Sequence, residues 1–438
     1  MEGVTDATKA PRPGAFADVP AFAVFALALL SRLAWVIFVQ ARHPGEAGYL
    51  EGDAIEYTTV ARGLLGGRSW WSPDAGGGPY LHGPLYPLFV SGILATGVPL
   101  FWITVAQAVI GAATCWGVVR LGRRLTAPAG AVAAGLAMAV YPYFFHYTGR
   151  ILTETLGVLL GFLVFASLVL FSRDPSWRRA ALAGGALGLA TLNHPETYLA
   201  PPLLLAWVLL FHPRRALVLR RLLGTFAVLV LCVLPWHAYH ALKSGKNVFL
   251  PPALDPGGIL AQGTLVARGR ITGDPAYLRH ARELVTEGAR LEKERGVLGG
   301  LEAAGKRVLG DLREDPRGYF WLVGMKVRRM WTIAPEQGVY SRPWITIPTG
   351  ALNVALYAGF LAGLLIHRPR EEAWLAPVLV VMITLPHLIF YAQPRYRLPL
   401  MPMVTLFAGV ALSGGLEWKA ARRRVTRKVL MEDRAGEG

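Results

Sequence analysis

Eleven apolar runs punctuate this chain, near residues 20–40, 84–99, 101–119, 129–146, 151–171, 180–192, 197–211, 219–240, 348–366, 373–391 and 398–416. A helix crossing the hydrocarbon core of a bilayer needs about 20 apolar residues, and most of these runs approach that length. Only 17% of residues are charged, against about 25% in a typical soluble chain. The fold class expected is therefore an all-α polytopic membrane protein. The net charge of +17 would point to nucleic acid in a soluble protein. Here the basic residues cluster at the ends of apolar runs, as they do where a membrane protein fixes its orientation. The lipid bilayer is the partner implied, and nucleic acid is not. Cys115 and Cys232 both lie inside apolar runs, which argues against disulfides and thiolate metal sites and for small buried hydrophobes.

Charge bias orders the runs. The loops Arg120/Arg123/Arg124, Arg173/Arg178/Arg179 and Arg214/Arg215/Arg220/Arg221, and the tail from Lys419 to Lys428, should all be cytoplasmic. If all eleven runs cross, the first three land outside. Dropping the run 84–99 repairs all three at once, and that run is short and opens on Gly83-Pro84-Leu85-Tyr86-Pro87, a poor start for a deep helix. The expectation is about ten transmembrane helices, with 84–99 re-entrant. Residues 1–19 form a cytoplasmic tail, and 20–40 is a retained first span, not a cleaved signal. Residues 20–240 form an N-terminal transmembrane module whose first outer loop is 41–100. An extracytoplasmic helical loop follows at 241–347, with helical patterns at 276–295 and 301–312 and an interfacial amphipathic helix from Tyr319 to Trp331. The last helices occupy 348–416, and 417–438 is a basic cytoplasmic tail.

Polar residues at membrane depth are costly, and they gather in this topology on the outer side. Asp53 and Glu56 open a helix that runs to about Leu65; the pair also has the spacing of a capping box. His82 precedes the re-entrant run, placed either to meet a phosphate or to sit at the lipid interface. Glu154 lies about one turn into an apolar helix, where an unpaired carboxylate is expensive. Arg150, four residues earlier, offers a local ion pair as the alternative to a site. Arg395 and Arg397 flank Tyr396 outside, against the usual charge bias. Their planar forks suit phosphate oxygens, whether of a substrate or of lipid head groups. His194 and Glu196 mark a charged break that is either a wall of the site or a simple turn.

In this order, the stretches GDAIEYTTVARGLLGG, HGPLYPLFV, LTETL and PRYRLPLMP resemble the polyprenyl-phosphate-sugar-dependent glycosyltransferases of the GT-C superfamily. The similar branch is the one containing protein O-mannosyltransferases and bacterial aminoarabinose transferases. The resemblance covers most of the chain in layout. It implies Asp53 as catalytic base, Glu154 as a second acidic residue, and Arg395 with Arg397 on the lipid phosphate. Tyr57, His82, His146, Arg150, His194, Glu196 and Tyr396 would complete the substrate-binding surface. The sequence departs from the pattern at His82-Gly83, at His194 and at Ala54. His82-Gly83 replaces a basic residue and proline, and His194 stands where arginine is common before Pro-Glu. Ala54 follows Asp53 where some members carry a second acid, so a metal site on paired carboxylates finds no support, and no cofactor is required.

The chemistry expected is inverting sugar transfer at the extracytoplasmic face of a bacterial inner membrane. Arginine meets the phosphate without needing deprotonation, and a carboxylate takes the acceptor's proton. The donor is a polyprenyl-phosphate-linked sugar; the acceptor is a protein, lipid or polysaccharide. A transporter or lipid flippase would instead show discontinuous helices at mid-membrane and symmetry between halves; the sequence shows no such symmetry, and its acidic residues gather at one face. A non-catalytic assembly factor with this fold would have no need of Asp53, Glu154 and Arg395.

Overall fold

The computed structural model describes residues 18–70, 80, 82–244, 312–334, 342–367, 371–389 and 392–414, with isolated positions between 290 and 310. All but one residue of the helical pattern expected at 276–295, more than half of that at 301–312, and the tail 417–438 lie outside the described residues. The described residues are helical: α1 (Val19–Arg42), α2 (Asp53–Leu65), α3 (Leu85–Leu94), α4 (Phe101–Leu125), α5 (Pro128–Val140), α6 (Pro142–Thr148), α7 (Glu154–Arg173), α8 (Trp177–Asn193), α9 (Ala200–Phe211) and α10 (Arg215–Ser244). After the loop come α11 (Pro316–Met330), α12 (Pro343–His367) and α13 (Glu371–Ile389). A 3-10 turn, Pro394–Leu400, then runs into α14, residues 401–414.

Six helices among the described residues are long and apolar enough to cross a membrane, or seven if the bent pair α5–α6 is one span. The protein is an integral membrane protein. The other three runs counted as spans correspond to α8, Pro195–Phe211 and Ala373–Leu388, each shorter than eighteen residues. Helix α3 has 10 residues, roughly 15 Å at 1.5 Å per residue, half the hydrocarbon thickness. It does not span, and it packs against α2.

Local chemistry explains the breaks. Pro142 has no N–H and holds Tyr141 extended (ψ 117°), so α5 and α6 meet at 50°. The carbonyls of Met138 and Ala139 are left at the broken end of α5. Arg32, 1% exposed in the middle of α1, donates to both, at 3.1 and 3.4 Å. At the end of the bundle away from Glu154, Arg173 donates to the Arg124 carbonyl, Arg179 to Leu170 and Arg214 to Ser172. These arginines answer the negative ends of α4 and α7. Helix α11 covers the stretch where an interfacial helix is expected, Tyr319–Trp331. Its buried stripe, Leu322, Lys326 and Met330, has helical spacing and faces α13 and the 3-10 turn.

Candidate active site

Four segments far apart in sequence converge at one end of the bundle. Helix α2 begins at Asp53 because Gly52, at φ +59°, takes a left-handed turn that a side chain would resist. No side chain caps this helix, which corrects the capping-box expectation for Asp53 and Glu56. Asp53 is the first helical residue, and its carboxylate reaches across to Arg395: Nη2 donates to Oδ2 at 2.8 Å. Glu154 opens α7 with only 6% of its side chain exposed, and Arg395 Nη1 lies 3.2 Å from its Oε1. One guanidinium thus bridges two carboxylates, a task suited to arginine's planar fork. The local pair Arg150–Glu154 does not form. Because α7 starts at Glu154, Arg150 sits in the preceding turn and pairs with Glu51.

That turn is held by a residue sequence reasoning did not single out. Gln107, fully buried in α4, donates from Nε2 to the carbonyls of Thr148 (3.0 Å) and Arg150 (2.7 Å). Its Oε1 accepts from the Tyr86 hydroxyl at 2.8 Å. A glutamine within the apolar run 101–119 was the available signal.

On the far side of Arg395, Glu196 is held between two histidines. His387 Nε2 lies 3.1 Å from Oε1, and His194 Nδ1 lies 3.4 Å from the same oxygen. His194 Nε2 is 2.8 Å from the Thr153 hydroxyl. Burial opposes a charge on His194, but the adjacent Glu196 carboxylate outweighs it, and the imidazole pKa stands above its ordinary value. His387 was also missed; it sits in the apolar run 373–391. Its ring lies flat on Tyr396, with centroids 4.1 Å apart, and the Arg395 guanidinium stands 5.3 Å from the Tyr396 ring. Tyr57 is buried edge-on to Tyr86 at 5.1 Å, and burial pushes its phenol upward.

Asp53, Glu154, Arg395, Tyr396, His194 and Glu196 are therefore brought together, with Tyr57 behind Asp53 on α2. His82 is exposed and 3.8 Å from Glu56. His146 packs edge-on against Tyr147 and does not line the cleft described below. Arg397, 0% exposed, donates from Nη1 to the carbonyls of Met330 (2.7 Å) and Thr332 (2.8 Å). It ties the end of α11 to the last span and is not available to a phosphate in the cleft. Gly83 has a steric reason to replace proline: a Cβ there would stand 2.1 Å from the Leu192 carbonyl.

A cleft opens beside Arg395. Glu154, Asn193, His194, Glu196 and Arg395 form its polar end; Leu160, Val164, Leu379, Met382, Ile383 and Leu400 make the rest apolar. Gly161 lets α7 touch the 3-10 turn, since a Cβ there would sit 2.2 Å from the Pro399 carbonyl. A charged end on an apolar slot has the form of a site for an amphiphile. Among the described residues no group of three His, Cys, Asp or Glu side chains could hold a metal ion.

Residues 81–239 match the family model described as dolichyl-phosphate-mannose-protein mannosyltransferase. The archaeal oligosaccharyltransferase AglB from Archaeoglobus fulgidus, solved with an inhibitory peptide and a dolichol-phosphate, superposes with a TM-score of 0.60. The identity is 15%, over 95% of this chain and 52% of AglB. The chain has the GT-C fold. The same archaeal enzyme tethered to an acceptor peptide gives a TM-score of 0.58 at 16% identity, over 92% of this chain and 50% of that one. ArnT from Cupriavidus metallidurans bound to undecaprenyl phosphate gives 0.43 at 15% identity, over 90% of this chain and 77% of ArnT. No curated protein matches. The chain spans about half the length of the archaeal structures it resembles. Within the GT-C fold, Glu154 lies inside the segment matched by the family model, whereas Asp53 and Arg395 come from either side of it.

Proposed function

We propose that this protein is an inverting glycosyltransferase that moves a sugar from a polyprenyl-phosphate donor to an acceptor hydroxyl or amine at the extracytoplasmic membrane face. The observation that carries the proposal is the bridging of Asp53 and Glu154 by Arg395 at the mouth of an apolar slot. A lipid donor keeps its tail in hydrocarbon and presents its phosphate where a cation waits. The arginine-rich turns at the opposite end of the bundle support a site facing away from the cytoplasm, in a bacterial inner membrane. The dolichol-phosphate in the archaeal relative supports the donor class.

Each residue has a distinct task. Asp53, with 46% of its side chain exposed, can meet an incoming acceptor. The acceptor oxygen or nitrogen attacks the sugar C1 as the bond from C1 to the phosphate oxygen breaks. The acceptor's proton passes to Asp53, and the electron pair leaves on the phosphate, which stays with the lipid. Arg395 stabilises that leaving charge. Glu154, more buried, fixes the guanidinium. A single attack from the face opposite the phosphate inverts C1. Replacing Asp53 by asparagine keeps a hydrogen-bond acceptor for Arg395 but removes the base, so transfer should fall about 10²–10⁴-fold. Membrane insertion and donor binding should persist. Full activity in Asp53→Asn protein refutes the assignment of the base.

A further inference from the structure

The polar end of the cleft has a donor inventory that singles out one residue. The two Nη atoms of Arg395 are each committed to a carboxylate, so much of its charge is already balanced. Both ring nitrogens of His194 are engaged, Nδ1 by Glu196 and Nε2 by Thr153. Two buried donors on residues that line the cleft, Arg395 Nε and Asn193 Nδ2, have no hydrogen-bond partner among the described residues. Asn193 ends α8 and is 5% exposed, and its Oδ1 is also unpartnered. Leaving a buried amide without partners is costly, and such orphans in a folded protein ask for an explanation.

Gly157, one turn into α7, faces this amide; a Cβ there would stand 3.4 Å from Asn193 Nδ2, an ordinary van der Waals contact. Ala190, one turn earlier in α8, already belongs to the apolar wall. Asn193 therefore sits at the junction between the charged mouth and the apolar slot. That is where the first polar group of a lipid would come to rest.

We propose that Asn193 is a phosphate ligand of the lipid donor, its Nδ2 donating to a phosphate oxygen alongside Arg395. The proposal rests on the reading of the cleft as a polyprenyl-phosphate site. It adds a neutral donor where a second cation would be neutralised by the nearby carboxylates. Asn193→Asp keeps the shape, loses the donor and sets an anion against the phosphate. Asn193→Ala loses the donor alone.

The test is binding of polyprenyl phosphate and of the uncharged polyprenol to the purified full chain. For the phosphate, affinity should fall about 10-fold in Asn193→Ala and about 100-fold in Asn193→Asp. Affinity for the alcohol should be unchanged in both, which also reports that the variants are folded. Variants that hold the phosphate as tightly as the wild type, or that lose phosphate and alcohol equally, overturn the role of Asn193 while the cleft reading stands. Wild-type protein that does not distinguish phosphate from alcohol overturns the cleft reading itself, and this inference with it.

Discussion

Removing Arg395 strands a charge, and the size of that effect can be worked from the geometry. At 3.2 Å from Glu154 and 2.8 Å from Asp53, each pair has a gross attraction of about 5–6 kcal/mol at an effective dielectric constant of roughly 20. Asp53 is nearly half exposed, and water screens it, so its pair contributes at most about 1 kcal/mol net. Glu154 is the costly partner. It is buried, and its Oε2 has no hydrogen bond among the described residues. Arg395→Ala should therefore destabilise the protein by about 3–5 kcal/mol, chiefly by leaving that carboxylate uncompensated. Neutralising it as well, in Arg395→Ala/Glu154→Gln, should recover at least half of the loss. The assay is the thermal unfolding midpoint of wild type, both single variants and the double variant in one detergent. Sugar transfer is measured in parallel. Stability should return in the double variant while transfer stays absent, because the phosphate still lacks its cation. Strictly additive losses, with the double variant the least stable, would refute the coupling.

Other perturbations give sharper local outcomes. Gly161→Ala forces a Cβ against the Pro399 carbonyl and should cost about 1–3 kcal/mol, read as a lowered unfolding midpoint. Gly185, where a Cβ meets nothing within 4 Å, should tolerate the same change. Arg150→Ala loses only a partly exposed pair with Glu51 and should change stability by less than about 1 kcal/mol. Arg397→Met abandons the Met330 and Thr332 carbonyls and should cost about 2–4 kcal/mol. The pKa of His194 is raised in the fold, so its contribution is full below the unfolded imidazole's pKa and is lost as pH rises through the folded one. Wild type should accordingly lose midpoint between acidic and alkaline pH relative to His194→Gln; identical pH profiles would show that the pair contributes nothing.

How much of this was legible in the sequence depends on range. Apolar runs and arginine-rich turns are local signals, and they placed α1, α4, α7, α10 and α12 within a few residues. The same is true of α3, whose Gly-Pro opening and short run already argued against a span. Side-chain destinations were less legible, because they depend on partners hundreds of residues away. Spacing alone offered Arg150 to Glu154 and a cap role to Asp53; Arg395, 342 positions from Asp53, took both carboxylates. Arg395 and Arg397 are equivalent as sequence, yet a 3-10 turn points one at the cleft and buries the other under α11. Gln107 and His387 escaped notice because single polar residues within apolar runs look alike until their partners are known. Hydropathy also could not fix the number of crossings where helices such as α8 are short.

The most direct measurement is sugar transfer itself. Purified wild-type protein would be given polyprenyl-phosphate sugars of known anomeric configuration, labelled in the sugar, and the linkage in the product would be determined. The account predicts transfer from at least one such donor, with the configuration at C1 reversed and the lipid released as polyprenyl phosphate. A product that keeps the donor's configuration, or transport of the intact donor without any transfer, would contradict it.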